Sequence, residues 1–229
     1  MTQKDRTPKI GVVGAGAIGG ICAGWIKNAG YDVRVVVRTP EHARQIMEEG
    51  IQITGIKGDL TIKMDAVSRV EDMDGDRDIV LLGVKATEMM EAAEKLKAGL
   101  KPGAVVVSLQ NGFCEEALAG VLGRETIIGC VTGWGATLHS PCRLEMTSPG
   151  DFIVGNIDNR PDPRLEEVRA VLDNVLPTRI SPNIAGDLYS NASRFNISTP
   201  VNTQVLEMVK KIEQGKAGIA SENLDKIIL

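Results

Sequence analysis

Residues 9–20 read KIGVVGAGAIGG. The run from Lys9 to Gly14 is short, rich in β-branched residues and closed by glycine. That pattern suits a strand buried on both faces of a parallel sheet. Beyond it, Ile18, Ile21, Cys22, Trp25, Ile26 and Ala29 recur at helical spacing, and Gly30 stands where a C-capping glycine belongs. YDVRVVVR (31–38) reads as a second strand. Thr39 then offers an N-cap and Pro40 a first helical residue. The three glycines Gly14, Gly16 and Gly19 therefore form G-x-G-x-x-G in its required setting, with a strand before, an amphipathic helix after and a second strand beyond. In that setting Gly14 permits the tight turn, Gly16 lets backbone approach a pyrophosphate, and Gly19 lets the helix pack close on the strand. The helix start offers N–H groups and a positive dipole end to phosphate. The expected phosphate cradle is Gly14, Ala15, Gly16, Ala17, Ile18 and Gly19.

Downstream the alternation continues. IQITGIKGDLTIKMDAV (51–67) alternates apolar and polar residues around Gly55 and Gly58, which predicts a hairpin or strand pair interrupting the α/β order. DIVLLGVK (78–85) is a strongly apolar strand. TEMMEAAEKLKAGL (87–100) is amphipathic, with Met90, Ala93 and Leu96 expected inward and a solvated Glu91–Lys95 pair outward. AVVVSL (104–109) is a strand, GFCEEALAGVLG (112–123) a helix and TIIGCVT (126–132) a strand. From Trp134 to Asn156 the pattern is β-rich, with RLEMTS and DFIVGN on either side of a Pro149-Gly150 turn. PRLEEVRAVLDNVL (163–176) returns to helical spacing. The expected fold is α/β, a Rossmann-type doubly wound, mostly parallel sheet to about residue 180.

Composition narrows the function classes. The chain has 229 residues, 43% hydrophobic and 24% charged, as in ordinary globular proteins. With two Trp, two Tyr and three Phe, its core must come from aliphatic residues. The net charge of −4, with no block of Lys or Arg, argues against a nucleic-acid partner. The polar N-terminus and the short, glycine-broken apolar run after it argue against a signal peptide or membrane span. Cys22, Cys114, Cys130 and Cys142 form no C-x-x-C pair, so no metal site is expected and the thiols read as reduced in a cytoplasmic protein. His42 and His139 are weak candidates for chemistry, and no G-x-S-x-G or H-E-x-x-H motif is present.

In an open parallel sheet, ligands bind outside the carboxyl ends of the strands. The residues just beyond each strand therefore form the candidate site: the glycine turn, then Arg38, then Lys85, then Gln110, Asn111 and Gly112. Arg38 stands where an NAD site usually places an acid for the ribose 2′-OH, and the next acid along the chain is Glu41. An acid would repel a 2′-phosphate, whereas a guanidinium can take one by a two-point contact, so NADP(H) is the expected cofactor. Lys85 could reach a cofactor or a substrate carboxylate, and Asn111 is expected to face the ligand.

Together these residues resemble the ketopantoate reductase family (2-dehydropantoate 2-reductase). The resemblance rests on IGVVGAGAIGG, Arg38, VLLGVKA and VVVSLQNG, continues through GCVTGWGATLHSP and SPGDFIVG, and resumes at STPVNTQVLEMVKKIEQGK. It implies a Rossmann domain at 1–181 and a helical substrate and dimerisation domain beginning at 182. It also implies NADPH-dependent reduction of ketopantoate, a 2-oxoacid, to pantoate on the route to pantothenate and coenzyme A. By position, Gly14, Gly16 and Gly19 would hold the pyrophosphate and Arg38 the 2′-phosphate, while Lys85 and Asn111 would line the cofactor and the active cleft.

The chain departs from the family where the catalytic lysine should stand. Tyr189 and Ser190 match the residues before it, but Asn191 occupies its place, and no lysine lies between Lys101 and Lys210. Arg194 to Asn202 already resembles the end of the helical domain, so 182–229 reads as a remnant with an internal gap near 191–194. Two or three helices cannot enclose a core alone. They would pack on the Rossmann domain or on a second copy, the latter a homodimer. Two other readings stand beside the family's own activity: a related 2-oxoacid or opine-type reductase, and a catalytically silent NADP-binding protein.

Overall fold

In the computed structural model, which describes residues 6–110 and 114–187, the opening stretch forms strand β1 (Lys9–Val13) and helix α1 (Ala17–Asn28). Ile10 and Val12 are fully buried, as a strand covered on both faces requires. Gly30, at φ +95°, ends α1 in a Schellman motif: its N–H donates to the Lys27 carbonyl at 3.0 Å, and the Tyr31 N–H donates to that of Ile26 at 3.4 Å. β2 (Asp32–Val36) and α2 (Pro40–Glu48) follow. Thr39 caps α2 by accepting from the His42 N–H at 3.2 Å, with Pro40 opening the helix.

β5 (Asp65–Val67), β6 (Ile79–Leu82), β7 (Val105–Ser108), β8 (Ile127–Thr132), β11 (Phe152–Asn156) and β12 (Thr178–Ile180) complete an eight-stranded sheet. Its order is β12-β11-β8-β7-β6-β1-β2-β5. Every neighbouring pair is parallel except β8 with β11. α3 (Ala86–Lys97) and α4 (Glu115–Leu122) contribute to the apolar cluster on one face. α1, α2 and α5 (Arg164–Leu172) contribute to the cluster on the other. The doubly wound α/β expectation is met. These residues belong to one compact unit, which reaches Asp187. The gap near 191–194 and the helical remnant lie outside the described residues. No helix among the described residues is long and apolar enough to cross a membrane.

Three local readings are corrected. First, the 51–67 segment is more than a hairpin. β3 (Ile51–Gly55) does pair antiparallel with β4 (Leu60–Ile62), but its other edge pairs parallel with β10 (Arg143–Ser148). With β9 (Gly135–Ser140) they form a second sheet, β4-β3-β10-β9. Correspondingly, the Pro149-Gly150 turn passes the chain from β10 in one sheet to β11 in the other. Second, this small sheet closes over α1: a Cβ on Gly20 would lie 2.5 Å from Leu144 Cδ1, and one on Gly24 would lie 2.3 Å from Ile53 Cδ1. α1 is thus buried on two sides, its stripe includes Ala23, and Ala29 is exposed beyond its end. Third, Met89, not Met90, joins Ala93 and Leu96 inward; Met89 is 4% exposed and Met90 40%. Residues 89, 93 and 96 keep the i, i+4, i+7 spacing of one face. The Glu91–Lys95 pair lies outward as expected, at 2.6 Å.

Candidate functional site

β1 is the strand at which the sheet order reverses. The chain builds β2 and β5 on one side of it, then crosses to β6 on the other. Such a switch point opens a crevice at the strands' carboxyl ends. Here the crevice is floored by glycine packed on glycine. Gly14 adopts φ +96°, a conformation that L side chains rarely take. A Cβ on Gly14 would sit 2.8 Å from Val84 N, and one on Gly19 only 2.1 Å from Gly14 O. Across the switch, a Cβ on Gly83 would stand 3.0 Å from the same oxygen. Backbone hydrogen bonds fix both strand exits, Gly14 N–H to Val36 O at 2.9 Å and Gly83 N–H to Val13 O at 2.8 Å.

Gly16 is different: a Cβ there would meet nothing within 4 Å among the described residues. It is the N-cap of α1, makes no side-chain capping bond, and is followed by no acid in the first turn. The leading N–H groups of a helix have no intrahelical partner. At α1 they belong to Ala17, Ile18 and Gly19, beside open space and at the positive end of the helix dipole. An anionic diphosphate fits this arrangement. Ala15 is buried beneath it, and Ala17 and Ile18 are half-buried.

Arg38 follows β2, exposed, with its guanidinium hydrogen-bonded to the Glu88 carboxylate. Glu88 belongs to the first turn of α3, after β6. Lys85, also exposed, is the N-cap residue of α3 and makes no side-chain capping bond. Arg38 and the β6–α3 turn therefore flank the glycine floor, one from each side of β1. Asn111 and Gly112 lie outside the described residues, as does Asn191.

Gln110, expected among the groups at the strand ends, turns inward and is 6% exposed. Its Nε2 donates to the carbonyls of Leu82 at 2.8 Å and Val84 at 3.0 Å, and its Oε1 accepts from Ser108 Oγ at 2.9 Å. It is a brace that ties the end of β7 to the exit of β6 and so holds Gly83 against Gly14. Gly83 itself escaped sequence reading, although VLLG repeats the strand-then-glycine pattern of GVVG.

Glu115 was also missed. It opens α4, is 5% exposed, and has a buried Oε1 with no hydrogen-bond partner among the described residues. Burial pushes its carboxyl up to about 7. In sequence, Glu115 reads only as one residue of the helix over 112–123. His139 is exposed and paired with Glu145 at 2.7 Å. Burial lowers the His42 pKa, and its Nε2 has no hydrogen-bond partner among the described residues. A cavity of about 150 Å³ lined by Met73, Arg77 and Leu96 lies at the opposite edge of the sheet, before β6. Its arginine is matched there by Asp32 at 3.1 Å and Asp74 at 3.3 Å.

Three comparisons bear on this geometry. The profile of the family described as Ketopantoate reductase PanE/ApbA matches residues 10–159. The chain is similar to the 2-dehydropantoate 2-reductase of Pyrococcus abyssi, 33% identical over 205 residues, covering 89% of this chain and 66% of that protein. It is also similar to the enzyme of that name from Archaeoglobus fulgidus, 33% identical over 167 residues, 73% of this chain and 53% of that one. It thus spans between about half and two thirds of these relatives' length. The crystal structure of 2-dehydropantoate 2-reductase from Geobacter metallireducens superposes with a TM-score of 0.74 at 24% identity, covering 96% of this chain and 80% of that one. That similarity reports the shared fold.

Proposed function

Since the chain belongs to the ketopantoate reductase family, we propose that it binds NADP(H) at the β1–β6 switch point and serves the reduction of 2-dehydropantoate to pantoate. One observation carries this reading: the Gly14–Gly19–Gly83 contact beneath an uncapped α1 N-terminus, where the Gly16 side of the turn is open among the described residues. The backbone from Gly14 to Gly19, including Ala15, Ala17 and Ile18, would hold the pyrophosphate. Arg38 would take the 2′-phosphate, and Lys85 and Asn111 would line the cofactor and the cleft. Bound NADPH would supply a hydride. The chain's part is to fix the cofactor's position and exclude water, since positioning alone can lower a barrier substantially.

Hydride addition makes the ketone oxygen anionic, and a positioned acid contributes typically ~10²–10⁴-fold to such a step. The family resemblance puts that acid at the place of Asn191. This substitution favours a second reading, a chain that binds NADP(H) without turning over a 2-oxoacid. A cytoplasmic setting is part of the proposal, supported by four cysteines that all remain free.

Titration of the intact chain with NADPH, followed by reduced-nicotinamide fluorescence, tests the first step. Loss of nicotinamide absorbance on adding ketopantoate tests the second. Binding with turnover supports the reductase, and binding with no turnover of ketopantoate or related 2-oxoacids supports the silent binder. Arg38→Ala should weaken NADPH by about 1.5–3 kcal/mol, the scale of a hydrogen bond to a charged group, and barely alter NADH. Equal losses for the two cofactors would remove the 2′-phosphate assignment.

A further inference from the structure

The residue that meets Arg38 is an acid from outside its own strand–helix unit. Glu88 lies fifty positions further on, in the first turn of α3, and its carboxylate accepts a hydrogen bond from the Arg38 guanidinium. The pair straddles β1, because Arg38 follows β2 on one side and α3 follows β6 on the other. It therefore stands over the crevice where the adenosine half of a dinucleotide must lie. The other acid near the β2 exit, Glu41, is turned to Arg44 at 3.7 Å and is 75% exposed.

Charge has two consequences here. A ribose 2′-phosphate must take Arg38 from a carboxylate already bonded to it, and must then sit near that carboxylate, a like charge. A free ribose 2′-OH has no such conflict: the Glu88 carboxylate can accept its hydrogen, the role usually filled by an acid at the end of the second strand.

We propose that Glu88 is a specificity-determining residue, which holds down the preference for NADP(H) by competing for Arg38 and gives NAD(H) a hydroxyl acceptor. This rests on the cofactor reading above and deepens it. Arg38 supplies the attraction for the 2′-phosphate and Glu88 limits it, so the selectivity of the site belongs to the pair. Both side chains are solvent-exposed, 76% for Arg38 and 43% for Glu88. Exposed pairs are weak and screened, so the effect is one of degree, about twofold to fivefold in affinity.

The test is equilibrium titration of the intact wild-type chain, Glu88→Gln, Arg38→Ala and the double variant with NADPH and with NADH, at low and high salt. Glu88→Gln keeps the side-chain shape and a hydrogen-bonding oxygen while removing the charge. It should tighten NADPH about twofold to fivefold, weaken NADH by a similar factor, and lose most of its NADPH gain in the Arg38→Ala background, all to a smaller degree at high salt. Thermal unfolding without cofactor should be nearly unchanged, which separates a binding effect from a folding one. The proposal is overturned if Glu88→Gln weakens NADPH, since Glu88 would then be positioning Arg38, or if it leaves both affinities unchanged. The cofactor reading fails separately, if Arg38→Ala affects NADPH and NADH alike.

Discussion

Gly16 and Gly19 stand three residues apart in one motif, yet they should fail in opposite ways. A Cβ at Gly19 falls 2.1 Å from Gly14 O, 3.3 Å from Gly14 C and 3.4 Å from Val12 Cγ1. Relief needs a shift of about 1 Å between the start of α1 and the β1 exit, since non-bonded carbon atoms settle near ~3.5–4 Å and a carbon–oxygen pair a little closer. Neither side can yield easily. Gly14 is tied to Val36 O, Gly83 to Val13 O, and the far side of α1 is closed by Leu144 and Ile53. Overpacking of this kind costs roughly 1–3 kcal/mol, and the better helix propensity of alanine returns at most about 1 kcal/mol. We therefore expect Gly19→Ala to lose about 2 kcal/mol at the upper end of the clash, a fall in Tm of roughly 4–8 °C for a unit of this size. At Gly16 a Cβ meets nothing, and φ −73° is an ordinary backbone angle. Gly16→Ala should shift Tm by no more than roughly 2–3 °C, the cost of a poorer N-cap. Its methyl group, however, would occupy the open side where a pyrophosphate approaches, so NADPH affinity should fall at least about tenfold, or ~1.4 kcal/mol. Differential scanning calorimetry and NADPH titration of both variants give the two readouts. A Gly16→Ala protein that binds NADPH normally, or a Gly19→Ala protein with unchanged Tm, would refute the division of the turn into an open and a packed side.

Other consequences are more local. Gln110→Leu removes three hydrogen bonds, two of them buried, and takes the Gln110 donor from the Val84 carbonyl, while the Leu82 carbonyl keeps the Leu109 N–H, so urea unfolding should show a loss of about 1–3 kcal/mol; an unchanged midpoint would mean the brace is idle. Burial raises Glu115 from its ordinary 4.5 to about 7, so its contribution to stability is full below 4.5 and is lost as pH climbs toward 7. Glu115→Gln should erase most of that slope, about 2–3 kcal/mol between pH 4 and pH 8, and parallel pH profiles for the two proteins would contradict it. Lys57 Nζ donates to the Asn174 carbonyl at 2.7 Å and to that of Val175 just past α5, and stands 4.7 Å from the centre of the Trp25 ring. Lys57→Met should cost about 1–2 kcal/mol and change the tryptophan emission, whereas unaltered stability would show the contact to be incidental. Burial pushes the Cys22 thiol up to about 12 and that of Cys130 well above its ordinary range. Because the thiolate is the reactive form, peptide mapping after alkylation should find both labelled only in unfolded protein.

How much of this was legible in sequence depends on how far apart the interacting residues lie. The strand, the glycine turn, the helix with its Gly30 cap and the Thr39–Pro40 start are all set within a few residues of one another, and local pattern suffices for them. The β3–β10 pairing joins 52–55 to 143–146, and no periodicity in either segment points to the other. That one long-range contact explains why α1 is buried on two sides and why its outer face carries Gly20 and Gly24. The face of α3 was misjudged by one residue because Met89 and Met90 are chemically equal, and only the register against the sheet separates them. Gln110 looked like a ligand group because it follows a strand, but the carbonyls that claim it belong to β6 and its exit.

The site itself divides along the same line. Its phosphate end is backbone, and glycines in a G-x-G-x-x-G spacing advertise backbone. The selectivity proposed for it rests on side-chain charge, and charge is shared across elements. The sequence rule asks only which residue ends the second strand and finds Arg38. The fold brings Glu88 to the same place from α3, and an arginine held by a carboxylate is a different binding group from a lone arginine. On that proposal, reading cofactor preference from the end of β2 alone leaves out the acid that competes for Arg38. For any Rossmann chain, the first turn of the helix across the switch point should be read together with that strand end.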